Sequence, residues 1–149
     1  MTAAQAQSPE NDGKDNIFQR PGEVEPQVLV IEDNPDMRAF LRRVLEHQGC
    51  SVMEAADGTG GISMAREHQP SLILMDLSLP DQDGLEAIKR LKSDPLTRDI
   101  PVVAVTARAH PVDEIRALDA GCDGYLNKPY SLREFIELVN RFLKRDPVD

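Results

Sequence analysis

The sequence predicts an α/β domain, a (βα)5 three-layer sandwich in which helices cover both faces of a five-stranded parallel sheet. Two features carry that prediction. From Gln27 onward, short apolar runs alternate five times with amphipathic segments. The clearest runs are apolar at almost every position, as strands buried on both faces are, rather than alternately apolar and polar.

The first run is "QVLVIED" (27–33), short and β-branched. "NPDMRAFLRRVLEHQG" (34–49) follows as a helix, with Asn34 as N-cap, Pro35 at the first helical position and Gly49 as the stop. Its apolar residues Met37, Phe40, Leu41, Val44 and Leu45 repeat at helical spacing. "SVMEA" (51–55) is a weaker strand, and "GTGGISMAREHQ" (58–69) a helix weakened by its glycines. "LILMD" (72–76) precedes a helix near 84–93 that carries Leu85, Ile88 and Leu91. "PVVAVT" (101–106) precedes a helix near 112–120 with Val112, Ile115 and Leu118 as its apolar positions. "GYLN" (124–127) leads into 131–144, where Ser131 and Glu134 form a capping box and Leu132, Phe135, Ile136 and Val139 form the stripe. Right-handed crossovers leave few topologies for five such units, and the flavodoxin-like strand order 2-1-3-4-5 fits best.

Composition narrows the function before any motif does. The chain has 149 residues and a net charge of −9. No basic cluster offers phosphate contacts, so direct nucleic-acid binding is not expected. The apolar runs fall far short of the roughly 20 residues that span a bilayer. The N-terminus lacks a basic region followed by an apolar one, so a cytoplasmic protein without membrane insertion is expected. Residues 1–26 are rich in Gln, Pro, Gly and acidic residues, with Ile17-Phe18 their one apolar pair of note. They read as a disordered N-terminal tail, 27–145 as the folded domain and 146–149 as a C-terminal tail. Cys50 and Cys122 have neither metal spacing nor a disulfide framework. Four strand spacings of about 4.8 Å would separate their strands, so free thiols are expected. His47, His68 and His110 lie far apart in sequence and read as solvated.

The ends of the strands carry the chemistry. In the order 2-1-3-4-5, strands one, three, four and five are consecutive neighbours, and open α/β sheets place their sites at the carboxyl ends of the strands. Glu32 and Asp33, Asp76, Thr106 and Lys128 then meet in one shallow crevice. Taken singly, each is an ordinary cap, strand end or surface lysine; together they constitute a site. Carboxylates in a cluster raise one another's pKa unless a cation compensates. Hard oxygen donors of this kind suit Mg²⁺, and the lysine adds a second fixed positive charge. Such a site handles a phosphoryl group: cations neutralise its oxygens and the threonine hydroxyl donates a hydrogen bond. A carboxylate can itself accept the group as an aspartyl phosphate, and the central Asp76 is the natural nucleophile. No nucleotide-binding G-x-x-x-x-G-K-[ST] or G-x-G-x-x-G loop is present. Ser78 stands where haloacid-dehalogenase-like phosphatases usually carry their second aspartate.

"IEDN" (31–34), "LILMDLSLPDQDG" (72–84), "VAVTA" (103–107) and "GYLNKPYS" (124–131) together resemble the receiver domain of two-component response regulators. The resemblance covers about residues 27–145. It assigns Glu32 and Asp33 to an acidic Mg²⁺ pocket, Asp76 to phosphorylation and the backbone carbonyl of Ser78 to the metal. By the same resemblance Thr106 and Lys128 sense the phosphate, Tyr125 is the aromatic switch residue, and the Lys128-Pro129 bond is cis. Glu32 replaces the commoner aspartate, and Ala107 is small, which in the family leaves the phosphate accessible.

The chain stops soon after its last helix, so a stand-alone, CheY- and DivK-like regulator is expected. The resemblance implies a phosphoryl acceptor with at most slow self-dephosphorylation, not an enzyme. It implies a histidine kinase or histidine phosphotransfer protein as donor and a downstream protein target met through the 112–144 face. The alternative is a phosphorelay intermediate or phosphate sink without a surface-switched output.

Overall fold

The computed structural model describes residues 25–77, 84–107 and 111–145. Its strands are β1 (Gln27–Ile31), β2 (Ser51–Ala55), β3 (Leu72–Asp76), β4 (Val102–Thr106) and β5 (Gly124–Asn127). They alternate with α1 (Pro35–His47), α2 (Gly58–His68), α3 (Gly84–Ser93), α4 (Pro111–Ala120) and α5 (Leu132–Leu143). Every pairing is parallel and the order is β2-β1-β3-β4-β5, the 2-1-3-4-5 arrangement expected. The expectations for residues 1–24, Ser78, His110 and 146–149 lie outside the described residues.

Successive side chains of a strand point to opposite faces, and here both faces are filled. Leu29, Ile31, Ile73, Met75, Val102 and Ala104 meet Ile62, Ala65, Ile88, Leu91 and Ala117 from α2, α3 and α4. Val28, Val30, Leu72, Leu74, Val103 and Val105 meet Leu41, Leu45, Phe135 and Val139 from α1 and α5. All five residues of β3 are buried, so this strand fixes the position of whatever stands at its end. Truncating one of its side chains, as in Ile73→Ala, costs about 2–5 kcal/mol.

Local signals set the helix limits. The Asn34 side chain accepts hydrogen bonds from Asp36 N and Met37 N, Pro35 opens α1, and Gly49 takes φ +81° just beyond the helix. Ser131 and Glu134 close the capping box on α5. Asp57 caps α2 by accepting from Gly60 N at 2.7 Å.

The apolar stripes needed correction at three places. Phe40 and Leu132, read as members of core-facing stripes, are exposed. In α4 the expected stripe faces outward altogether: Val112, Ile115 and Leu118 are 41%, 57% and 47% exposed, while Ala117 and Ala120 face the core. The helix has two apolar faces, and the one with small side chains packs inward. Cys50 and Cys122 are buried and free. Among the described residues no helix is long and apolar enough to cross a membrane.

Candidate functional site

β3 lies between β1 and β4, and carries Asp76 as its last residue. β1 ends at Ile31, two residues earlier than the sequence suggested, and Glu32 and Asp33 follow directly. Glu32 remains tied to the sheet, its N–H donating to the Ala55 carbonyl at 3.0 Å. Thr106 closes β4 and is fully buried. Lys128 follows β5, and its backbone N–H donates to the Thr106 carbonyl at 2.7 Å. Consecutive strands therefore deliver the groups to one edge, as the sequence anticipated.

Glu32, Asp33 and Asp76 each direct a carboxylate oxygen into one cluster, with those oxygens all within 4.8 Å of one another. Glu32 is 5% exposed and Asp76 8%, whereas Asp33 is open to solvent. One Glu32 oxygen lies 3.4 Å from Lys128 Nζ and the other accepts the Asn34 N–H at 3.1 Å. Burial pushes the Glu32 pKa up, and the neighbouring Asp76 adds to the rise. The Asn34 N–H and the Lys128 ammonium act in the opposite direction without cancelling it. Three carboxylates and one ammonium leave negative charge in excess. A small divalent cation fits this donor set, being hard, oxygen-seeking and able to offset that charge.

Around the cluster, Tyr125 is half-buried against the α2–α4 side of the sheet. It pairs in register with Ala104, two residues before Thr106 on the same face of the neighbouring strand. Its ring and Thr106 thus share one layer of packing. The Lys128-Pro129 bond is cis, as the resemblance implied, and Ala107 is exposed.

Several residues beside the cluster escaped the sequence reading. Tyr130 stacks on Phe135 with ring centroids 5.7 Å apart. Arg38 donates to the backbone carbonyls of Glu32 and Asp33 at 2.8 and 3.2 Å. A basic residue one turn into the helix that follows the acidic pair was the available clue. Its other partner, Glu54, comes from a separate strand and has no sequence pattern linking it to Arg38.

Residues 28–140 match the family model described as the response regulator receiver domain. Relatives described as polar-differentiation response regulator DivK, from Brucella anthropi and Brucella ovis, are each 42% identical over 116 residues, covering 78% of this chain and 94% of theirs. A CheY-like receiver domain protein from Methanospirillum hungatei JF-1 superposes with a TM-score of 0.76 at 26% identity, covering 81% of this chain and 95% of its own. The receiver domain of sensor histidine kinase PA1611 from Pseudomonas aeruginosa PAO1 has a magnesium ion coordinated in its active-site cleft. It matches with a TM-score of 0.75 at 30% identity, over 81% of this chain and 99% of that one.

Proposed function

The chain belongs to the response regulator receiver domain family, and from that premise we propose that Asp76 accepts a phosphoryl group from the phosphohistidine of a sensor kinase or phosphotransfer protein. The observation that carries the reading is the packing of Glu32, Asp33 and Asp76 into one cluster beside Lys128, at the end of a fully buried strand. An Asp76 oxygen attacks phosphorus; the P–O bond forms as the P–N bond breaks, and the imidazole nitrogen leaves with the electron pair. Rigid attachment of Asp76 to β3 keeps its carboxylate aimed at an incoming phosphorus. The Lys128 ammonium turns from Glu32 to the new phosphoryl oxygens, and the Thr106 hydroxyl donates to them. Glu32, Asp33, Asp76 and the Ser78 carbonyl would hold Mg²⁺, which supplies neutralisation of charge on the transferring group.

Inward movement of Thr106 opens space in the layer it shares with Tyr125, and the half-buried ring turns into it. That choice between two packings biases the face formed by α4, β5 and α5, where Val112, Ile115, Leu118 and Leu132 stand exposed. A downstream protein binds there. The functional unit in this reading is 27–145, with 1–26 and 146–149 as flanking tails, working in the cytoplasm and losing its phosphate slowly.

Acetyl phosphate with Mg²⁺ should add one phosphoryl group per chain. Asp33→Ala should lose both Mg²⁺ binding and labelling. A normal Mg²⁺ titration in that variant would mean the pocket is elsewhere.

A further inference from the structure

We infer that Arg38 is a positioning residue of the phosphoryl site: its guanidinium holds the backbone bearing Glu32 and Asp33 in the geometry a divalent cation needs. The inference rests on the phosphoacceptor reading and extends it to β2, a strand that supplies none of the reacting groups.

Asp33 is exposed, so side-chain packing does not hold it; its carboxylate can be placed only through its backbone. That backbone is gripped from two sides. The Glu32 N–H is fixed by the Ala55 carbonyl of β2 at 3.0 Å. Its carbonyl, and that of Asp33, accept from one terminal nitrogen of Arg38 at 2.8 and 3.2 Å. The Arg38 Nε donates to Glu54 of β2 at 3.2 Å, which stops the guanidinium from swinging away.

Glu54 is a firm anchor because Arg42 donates to its second oxygen. The two guanidiniums, Arg42 foremost, hold its carboxyl below the usual range, so it stays ionised. Arg42 directs its other nitrogens to Glu46 and the Val52 carbonyl, and makes no hydrogen bond to Glu32 or Asp33. The two arginines thus share an anchor but differ in what they hold. A planar fork bridges a carboxylate and two carbonyls, whereas a lysine's single ammonium does not span them in that geometry. Groups that orient metal ligands from behind typically matter 10–100-fold in metal affinity.

The test is a Mg²⁺ titration with acetyl phosphate labelling on wild type, Arg38→Met, Arg38→Lys, Glu54→Gln and Arg42→Met. Arg38→Met should weaken Mg²⁺ binding about tenfold, with labelling largely restored at saturating Mg²⁺. Arg38→Lys should recover only part of the affinity, and Glu54→Gln should show a smaller loss in the same direction. Arg42→Met, which loosens the anchor but touches neither carbonyl, should lose less affinity than Glu54→Gln. Unchanged Mg²⁺ affinity in Arg38→Met, with only its melting temperature lowered, overturns the inference, as does an equal loss in Arg42→Met. Should Arg38→Met fail to fold by circular dichroism, Glu54→Gln decides: weakened binding supports the inference and unchanged binding overturns it. Wild type that binds Mg²⁺ but takes no label would sink the phosphoacceptor reading alone, and the Mg²⁺ comparison would still judge Arg38. Wild type that binds no Mg²⁺ overturns both.

Discussion

Glu54 shows how much one carboxylate organises at the residue scale, since two guanidiniums depend on it. Hydrogen bonds from Arg42, then Arg38, lower its folded-state pKa against the pull of partial burial. A depressed carboxyl pKa contributes stability above its unfolded value of about 4.3, and that contribution vanishes as pH falls through the folded value. Glu54→Gln should therefore destabilise the protein at pH 7 by up to about 1 kcal/mol, the upper range for a partly exposed pair. Thermal melts across pH check this: the two proteins should differ at neutral pH and converge in acid. A gap that persists below the folded-state pKa would assign the effect to packing rather than charge.

At the scale of elements, the start of α3 sits directly against backbone. A Cβ on Gly84 would sit 2.5 Å from Leu77 Cα and 2.8 Å from the Leu77 carbonyl oxygen, while the Gly84 N–H already donates to that oxygen at 3.2 Å. The obstacle is backbone next to Asp76, so it cannot rotate aside. Gly84→Ala should cost about 1–3 kcal/mol in a denaturant melt and slow labelling of Asp76; an unperturbed variant would show that α3 can slide. Strands and helices were legible because β3 and β4 are continuous apolar runs and because Asn34-Pro35 and Ser131-x-x-Glu134 mark starts. The converging acids, Thr106 and Lys128 were legible because topology alone gathers strand ends. The inward face of α4 was not, since periodicity marks an apolar stripe without telling which of two faces meets the sheet. Nor was the Arg38–Glu54 bridge, which depends on two separate elements meeting in space.

At the scale of the whole molecule, the proposed switch joins the carboxylate cluster to the exposed face of α4 through Thr106 and Tyr125. Val112, Ile115 and Leu118 are exposed apolar residues that contribute little to the core, so Ile115→Ser should change stability by no more than about 0.5 kcal/mol. Calorimetry against a captured target should nevertheless show weakened binding of the phosphorylated form. Thr106→Ala should still take the label yet lose the 5–150-fold affinity change that a coupling of about 1–3 kcal/mol gives. Full coupling in Thr106→Ala would instead route the signal around Thr106 and Tyr125. All of this depends on where the phosphoryl group goes, and reductive trapping reads that directly. After labelling with acetyl phosphate and Mg²⁺, borohydride converts an aspartyl phosphate to homoserine, and peptide mass spectrometry locates the change. Homoserine is expected at position 76 alone, absent when Mg²⁺ is withheld and absent from Asp76→Asn. Homoserine at Asp33 or any other aspartate, or trapping that persists in Asp76→Asn, would contradict it.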